Sequence, residues 1–311
     1  MHAEGNAKAW STQDIPDQSG RIVLITGANS GTGFEAARAL ARRGAHVILG
    51  CRQLERALGA EQRLRGELPD ASLERLSLDL ASLASVREAA SAVRSRHGRL
   101  DLLLNNAGVM IPPYGKTTDG FELQFGTNHL GPFAFTGLLL PLLLETTGSR
   151  IVTMSSVAHK MGRIRFEDLQ SERSYHSWKA YGQSKLANLL FTFELQRRLL
   201  EARSATLAVA AHPGWARTEL QRHADRNPFL RVLMSSLGAL FAQDADQGAL
   251  PLLRAAVDPA VRGGDYYGPS RFGECKGAPV LVKTSARAQD EALQRQLWEC
   301  SERLTGIAFP V

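Results

Sequence analysis

The sequence predicts an α/β fold, in which a single domain is built on a doubly wound parallel sheet. Short β-branched apolar runs alternate with helical stretches for six rounds, and the first strand is followed by a glycine-rich turn. No linker, fixed-period repeat or low-complexity tract interrupts the pattern. Such alternation is typical of a parallel sheet covered by helices on both faces. A chain of 311 residues is long for one domain but within reach of a large α/β domain.

Each element is predicted from its own pattern of residues. Strands are short buried runs, and helices are longer stretches with apolar residues on one side. The predicted strands are residues 21–27, 46–51, 73–80, 100–108, 149–156 and 205–214, and the predicted helices are 28–45, 55–68, 85–98, 121–145 and 180–201. The fourth helix contains Pro132 near its middle, where a proline either kinks a helix or marks a first turn.

Composition restricts the class of protein. Hydrophobic residues make up 44% and charged residues 22% of the chain, as in ordinary globular proteins. The net charge is +6, and no dense run of Lys and Arg concentrates it. This mild excess suits an anionic ligand and does not argue for nucleic acid as a partner.

Cysteine and histidine usage indicates a reducing compartment and no metal site. The three cysteines are an odd number without a C-x-x-C pair, and the eight histidines are scattered. Residues 1–19 have no apolar core and are expected to form a polar arm before a domain at 20–311. The most apolar runs are expected to be too short to span a bilayer, so we expect a cytoplasmic protein.

The turn "TGANSGTG", residues 26–33, indicates a phosphate-binding site. It follows a strand and opens a helix, so glycines allow close approach of a phosphate while the helix N-terminus supplies free N–H groups. Its spacing, G-x-x-x-G-x-G, differs from the G-x-G-x-x-G of the commonest dinucleotide fingerprint. In this strand–turn–helix context it favours a dinucleotide cofactor on a Rossmann-type sheet.

The end of the second strand indicates which dinucleotide binds. An acidic residue there would hold the ribose 2′-hydroxyl of NAD, but this strand ends in Cys51 followed by Arg52. A guanidinium suits a 2′-phosphate, so NADP(H) is preferred and NAD(H) stays possible. The alternative is that Arg52 is a solvated surface residue.

Tyr181 and Lys185 lie one helical turn apart and therefore share a helix face. In an arbitrary sequence this spacing most often means a half-buried tyrosine and a lysine whose amine reaches solvent. Here the pair accompanies several further motifs in a fixed order, which are "NNAG" (105–108), "TNHLG" (127–131), "SS" (155–156) and "HPG" (212–214).

Together these motifs resemble the short-chain dehydrogenase/reductase family over roughly residues 20–220. "SSVAH", "AYGQSKLAN", "HPGWARTEL" and the late "YYGP" and "LWECSERLTG" are most similar to its retinol-dehydrogenase-like branch, with kinship to WW-domain oxidoreductases and protochlorophyllide reductases. Thr32 departs from the usual Ile, which implies a local packing change rather than a phosphate contact. We expect no membrane anchor before the domain, which would disfavour membrane-delivered retinoid as substrate.

The resemblance implies roles for four catalytic residues. Tyr181 would be the general acid in carbonyl reduction and the base in the reverse direction, and Lys185 would lower its pKa and hold the nicotinamide ribose. Ser156, chosen over Ser155, would hydrogen-bond the substrate oxygen. Asn128 would anchor a water that links Lys185 to solvent.

The resemblance also implies the cofactor contacts. They are Gly27, Asn29, Ser30, Gly31, Thr32, Gly33, Arg52, Asp79, Leu80, Asn106, Ala107, Gly108, Tyr181, Lys185, Pro213, Gly214 and Thr218. Asp79 could instead cap the following helix, and Asn105 is expected to be structural. Residues 219–250 would form a substrate lid, with Phe229, Leu230, Leu233, Met234, Leu237 and Phe241 at helical spacing, serving as core, pocket wall or membrane contact.

These observations predict an NADP(H)-dependent oxidoreductase that interconverts an apolar ketone or aldehyde with an alcohol. The alternatives are a carbon–carbon double-bond reductase and a non-catalytic NADP(H)-binding redox sensor, which would need no proton donor. The helices at 121–145 and 180–201 are unusually apolar. In the family such helices pair across a two-fold axis, which implies a homodimer or homotetramer.

Overall fold

A computed structural model of the protein describes residues 9–215 and 243–311. Within these ranges the chain forms one eight-stranded sheet in the order β3-β2-β1-β4-β5-β6-β7-β8. The strands are β1 (Ile22–Thr26), β2 (His46–Cys51), β3 (Leu73–Ser77), β4 (Leu102–Asn105), β5 (Arg150–Met154), β6 (Leu207–Ala211), β7 (Tyr266–Arg271) and β8 (Lys276–Leu281). All neighbours pair in parallel except β7 and β8, which form an antiparallel hairpin.

The six predicted strands are confirmed, but the last two were not anticipated. Each of β7 and β8 contains a glycine and a proline. These residues weaken a strand pattern, because proline removes a ladder donor and glycine leaves no side chain to pack. Both are tolerated at this edge of the sheet, where Pro269 and Pro279 face each other in the hairpin.

Helices cover both faces of the sheet. They are α1 (Gly31–Arg42), α2 (Leu54–Glu67), α3 (Leu83–Arg96), a single turn α4 (Leu123–Phe125), α5 (Gly131–Leu144), α6 (Ser177–Glu201), α7 (Ala245–Val257) and α8 (Glu291–Thr305). Buried side chains of α1, α2 and α7 form one core layer with the sheet. Those of α3, α5, α6 and α8 form the layer on the opposite face. The arrangement is the doubly wound single domain that the sequence predicted.

The segment expected to be one long helix is interrupted. After α4 the chain makes a π-helical turn at Gly126–Leu130, and α5 then begins at Gly131. Pro132 therefore lies in a first turn, where its missing N–H costs nothing. Wide turns of this kind often occur at functional sites, and this one carries Asn128.

The apolar character of α5 and α6 is explained within the chain itself. Helix α8 and the last residues pack on both, and Trp298 lies 5.2 Å from Phe133 and 4.4 Å from Phe309, measured between ring centroids. A Cβ added to Gly137 of α5 would lie 2.7 Å from the ring of Phe309. These faces are covered by the chain's own C-terminus, so their hydrophobicity no longer argues for a dimer.

The N-terminal segment and the most apolar helical stretch both differ from the sequence expectation. The segment expected to be a polar arm packs on the domain from Trp10 onward, with Ile15 2% exposed and Gln18 fully buried.

The continuous stretch Leu123–Leu144 is long and apolar enough to cross a membrane, contrary to the expected length limit. However, 83% of its most apolar part is buried in the protein, as in the core helix of a globular domain.

Candidate active site

Two cavities meet at the carboxyl ends of the strands, beside the point where β4 continues the sheet on the other side of β1. In open α/β sheets, ligands bind at such a reversal of strand order. The first cavity is a cleft of about 400 Å³ and the second a chamber of about 390 Å³. Thr32, Asn106 and Met110 line both, so the cleft opens into the chamber.

The glycine-rich turn forms one wall of the cleft. Gly27 and Gly31 have φ of +70° and +55°, in the left-handed region that favours glycine. Ser30 precedes α1 without making a side-chain cap, so it does not cover the first amides of that helix. A diphosphate therefore fits the free N–H groups and positive potential of this end.

Gly33 lies behind the turn rather than in the cleft wall. A Cβ added there would clash with the backbone oxygen of Gly27 and would lie 2.5 Å from Nδ2 of Asn106. Its small size allows α1 to pack closely against β1. A direct contact between Gly33 and a cofactor remains a prediction.

A hydrogen-bond network joins this turn to the end of β4. The Asn106 side chain donates to the carbonyl of Thr26 at 2.9 Å, and its backbone N–H donates to the Thr26 hydroxyl at 3.0 Å. The Thr32 hydroxyl donates to Oδ1 of Asn106 at 2.8 Å. Thr32 thus does more than fill space, because an isoleucine there could not make this bond. Asn105, as expected, faces inward and donates to Thr136 at 2.9 Å.

The end of β2 is basic on the side that faces the cleft. Cys51 is 3% exposed, and burial raises the pKa of its thiol to about 11, so the thiol stays neutral. Arg52 is exposed and lines the cleft together with Gln53 and Arg56. Arg56, in the first turn of α2, was not predicted as a cleft residue.

Asp79 also lines the cleft, as do Asn29, Leu80, Ala107 and Gly108. Its alternative role as the cap of the next helix is wrong, because Ser82 caps α3 by accepting from Ser85 N–H. The Asp79 carboxylate instead accepts from the N–H of Ala81 at 2.9 Å. One carboxylate oxygen therefore stabilises a turn, and the side chain stays at the cleft wall.

The chamber contains Ser156, from the loop after β5, and Tyr181 and Lys185, from α6. The Lys185 amine lies 5.7 Å from the centroid of the Tyr181 ring and donates to the carbonyl of Met154 at 3.1 Å. The Ser156 hydroxyl accepts from the N–H of Ala158 at 3.2 Å, and it also hydrogen-bonds the Tyr181 side chain. Tyr181 and Lys185 are 7% and 5% exposed, which places them in a desolvated site.

The proton affinities in this site differ from the sequence expectation. Burial raises the pKa of Tyr181 to about 12, although a hydrogen bond with Ser156 acts in the opposite direction. Burial also lowers the pKa of Lys185 to about 8. In the protein alone, desolvation therefore outweighs any lowering of the tyrosine pKa by the lysine charge. The phenol is protonated at neutral pH, as a proton donor must be.

Asn128 does not present a free side chain to water. Its Oδ1 accepts from the N–H of Val109 at 2.7 Å, while its Nδ2 donates to the Val109 carbonyl at 2.9 Å and to the Ser184 hydroxyl at 3.0 Å. A Cβ added to Gly108 would lie 2.9 Å from Oδ1 of Asn128 and 3.6 Å from Nζ of Lys185. Asn128 thus fixes the β4 loop beside Lys185, and its role toward a water remains a prediction.

The two neighbouring serines have different partners. Ser155 is 2% exposed and donates to the backbone carbonyl of Lys185 at 2.8 Å. His159 fixes the loop that follows, since its Nε2 accepts from Ser285 N–H at 3.2 Å and its Nδ1 donates to the Ser156 carbonyl at 2.7 Å. Burial lowers the pKa of His159 to about 4, so the ring is neutral.

The loop that follows Ser156 is also held by the turn of the β7–β8 hairpin. Glu274 has φ of +67°, a left-handed conformation that is unfavourable for a residue with a Cβ. Its carboxylate accepts from Lys160 Nζ at 2.8 Å, and His212 Nε2 lies 3.3 Å away but is poorly aligned for a hydrogen bond. Burial raises the pKa of Glu274, but the contacts with His212 and Lys160 prevail and lower it to about 2.

The remaining chamber walls are mainly apolar. Pro213 and Gly214 lie here rather than in the cleft, and Gly214 has φ of +66°. The other apolar wall residues were not predicted, and they are Met110, Met154, Val157, Ala158, Met161, Trp178, Trp215 and Cys275. Thr218 and the six lid residues Phe229, Leu230, Leu233, Met234, Leu237 and Phe241 lie outside the described residues.

The fold and the two joined cavities define a dinucleotide-binding protein of the Rossmann type with a buried Ser-Tyr-Lys site. A family model described as short chain dehydrogenase matches residues 21–228. The chain belongs to this oxidoreductase family, and its relatives place it in the retinol-dehydrogenase-like part of it.

Three similar proteins illustrate this relationship. Retinol dehydrogenase 14 of Mus musculus is 47% identical over 300 residues, which cover 93% of this chain and 86% of the relative. Retinol dehydrogenase 13 of Homo sapiens is 42% identical over 294 residues, with 94% and 86% covered. The crystal structure of an uncharacterized protein from Mycobacterium Paratuberculosis is 43% identical, with a TM-score of 0.81 and 97% and 100% of the two chains covered.

Proposed function

We propose that this protein is an NADP(H)-dependent oxidoreductase that interconverts an apolar aldehyde or ketone with the corresponding alcohol. The observation that carries the proposal is the joining of a cleft lined by the glycine-rich turn to an apolar chamber that contains Ser156, Tyr181 and Lys185. The relatives named retinol dehydrogenases support an alcohol or carbonyl as the substrate class.

The cleft residues fit a nicotinamide dinucleotide phosphate. The glycine turn would hold the diphosphate, Asp79 would face the adenine, and Lys185 would hold the nicotinamide ribose. Arg52 and Arg56, both at the cleft, would pair with the 2′-phosphate. Among described residues the end of β2 offers no carboxylate to this part of the cleft, which favours NADP(H) over NAD(H).

The chamber residues would manage the proton. When bound, the nicotinamide supplies or accepts the hydride. The protonated phenol of Tyr181 would donate its proton to the substrate oxygen during reduction, and the Ser156 O–H would hydrogen-bond the same oxygen. Lys185, mostly cationic at pH 7 because its pKa is about 8, would stabilise the tyrosinate that is left. The apolar walls would bind the rest of the substrate and exclude water.

The test is a substrate screen with purified protein. Retinal and a panel of apolar aldehydes and ketones are mixed with NADPH or NADH, and loss of reduced-cofactor absorbance is followed. Tyr181→Phe should lower kcat by orders of magnitude while leaving cofactor affinity nearly unchanged, because only the hydroxyl is lost. Tyr114→Phe, at an exposed tyrosine outside both cavities, is the matched control. Turnover by Tyr181→Phe at the wild-type rate would refute the assigned role.

A further inference from the structure

A cluster of two histidines and a glutamate lies at the opposite end of the sheet from the active site. His46 begins β2, Glu74 is the second residue of β3, and His97 directly follows α3. Glu74 Oε2 lies 2.8 Å from Nε2 of His97 and 3.4 Å from Nε2 of His46. The three side chains are 12–28% exposed, so the cluster is half-buried and open to ions from solvent.

The donor atoms are close enough to share one ion. One ligand atom from each side chain can be chosen so that all three lie within 4.8 Å of one another. Zinc binds His nitrogen and carboxylate oxygen at roughly 2.0–2.2 Å, which places tetrahedral ligand atoms about 3.4 Å apart. The His46–Glu74 separation of 3.4 Å already meets this value, and the His97–Glu74 separation would widen by a small side-chain rotation.

Neighbouring groups orient these ligands. The His46 Nδ1 lies 2.7 Å from the hydroxyl of Ser72, so a proton on Nδ1 leaves the lone pair of Nε2 directed at the cluster. Arg96 donates to the other carboxylate oxygen of Glu74, Oε1, at 2.8 Å, and leaves Oε2 for the ion. Metal-binding histidines and carboxylates typically have such outer hydrogen bonds, which fix the tautomer and the ligand orientation.

We propose that His46, Glu74 and His97 bind one Zn²⁺ ion, with water as the fourth ligand. The sequence predicted no metal site because the ligands are 28 and 23 residues apart and form no spacing motif. The fold brings them together because β2 and β3 are parallel neighbours with Ile48 opposite Glu74, and α3 ends beside them. Nitrogen and oxygen donors without thiolates suit zinc better than softer or harder cations.

The site would be structural rather than catalytic. Strand β2 carries His46 at one end and Cys51 at the other, so the ion would lie about 17 Å from the cofactor cleft by the rise of a strand. Bound zinc would fasten β2, β3 and the end of α3, which form one edge of the sheet. It should therefore raise the melting temperature and leave turnover unchanged.

Calorimetry with tag-free protein, stripped by a chelator and titrated with ZnCl₂, tests the proposal. Wild-type protein should bind one equivalent of zinc. His46→Ala, Glu74→Gln and His97→Ala should each weaken binding by about 100-fold, and Ser72→Ala by about tenfold through loss of the outer hydrogen bond. His176→Ala, at an exposed histidine, should bind zinc like the wild type.

Circular dichroism of each variant shows whether it is folded, and His97→Gln provides a milder second substitution if His97→Ala is not. The absorption spectrum of bound Co²⁺ reports on the coordination independently. This spectrum should change in Ser72→Ala although the fold of the variant stays the same. Absence of zinc binding to folded wild-type protein, or equal binding by wild type and the ligand variants, would show that the cluster is only an ion-pair network and overturn the proposal.

Discussion

Glu274 at the tip of the β7–β8 hairpin accepts a hydrogen bond of 2.8 Å from Lys160, which lies 114 residues earlier in the loop that begins with Ser156. The same carboxylate approaches His212, at the end of β6. One side chain therefore connects two walls of the substrate chamber. Its backbone has a left-handed conformation, and strained residues of this kind tend to cluster at functional sites.

Glu274→Gln should impair turnover without weakening cofactor binding. The amide keeps the size of the side chain but removes the charge that holds Lys160, so the loop carrying Ser156 becomes less well positioned. We expect kcat/KM to fall about tenfold, equivalent to about 1.4 kcal/mol, with the dissociation constant for NADPH unchanged. Glu172→Gln, in the exposed pair of Glu172 and Lys116 at 2.6 Å, should have no effect. Equal loss in both variants would contradict a positioning role.

The same contact should appear in the pH dependence of stability. The folded pKa of Glu274 is about 2, below its usual 4.5, so its contribution is fully present above pH 4.5 and is lost as the pH falls towards 2. Wild type should therefore be more stable than Glu274→Gln at pH 7, and the difference should shrink by pH 3. Thermal unfolding at the two pH values measures this. A constant difference would indicate that the charge is not involved.

The high pKa of Tyr181 predicts different pH profiles for the two directions of reaction. With a pKa of about 12 the phenol stays protonated between pH 6 and 8, so carbonyl reduction should change little over this range. Alcohol oxidation needs the phenolate and should rise as the pH increases, by up to about tenfold per unit. Steady-state rates in both directions test this, with the Tyr114→Phe protein as the control. A fall in the oxidation rate from pH 6 to 8 would be inconsistent with this assignment.

Cofactor preference should depend on both arginines of the cleft. Each charge-assisted bond to a 2′-phosphate contributes roughly 1.5–3 kcal/mol, so Arg52→Ala should raise KM for NADPH by about 10- to 150-fold and leave KM for NADH nearly unchanged. Arg56→Ala should act in the same direction. Arg94→Ala, at an exposed position on α3, should change neither constant. If the wild type prefers NADH, the phosphate is not recognised by these side chains.

Trp298 should be a main source of stability because it fills the core between α8, α5 and α6. It is 2% exposed and lies 5.9 Å from the ring of Phe191, and Arg198 covers it at 4.4 Å. Trp298→Ala should destabilise the protein by about 3–5 kcal/mol. Trp298→Phe should cost much less, because the indole N–H has no hydrogen-bond partner among the described residues. Urea unfolding of both variants provides the comparison, and equal losses would be unexpected.

Much of the fold could be predicted because local patterns determine it. The strand–turn–helix at residues 22–42 and the shared face of Tyr181 and Lys185 are properties of short segments, so the sequence reveals them directly. Contacts between distant segments could not be predicted in this way. Glu274 reaches Lys160 only because a hairpin with weak strand character joins the sheet edge.

The protonation states were also beyond sequence reasoning, for a physical reason. The spacing of Tyr181 and Lys185 suggests a cation that lowers the tyrosine pKa, but spacing contains no information about desolvation. Both groups are almost completely buried, and burial acts on each in the direction of its neutral form. Only the packed structure shows that desolvation prevails over the effect of the lysine charge on the tyrosine pKa.

The covering of α5 and α6 by α8 has a consequence for biosynthesis. A ribosome synthesises a chain from its N-terminus to its C-terminus, and domains begin to fold in that order. Every strand of the described sheet is translated before Trp298, so a nascent chain already contains these strands together with Ser156, Tyr181 and Lys185 while a large apolar surface is still uncovered. Folding of this domain is completed only after α8 has been translated. A premature stop codon near residue 290 would therefore produce an aggregation-prone polypeptide that depends on chaperones, rather than a slightly shortened folded protein.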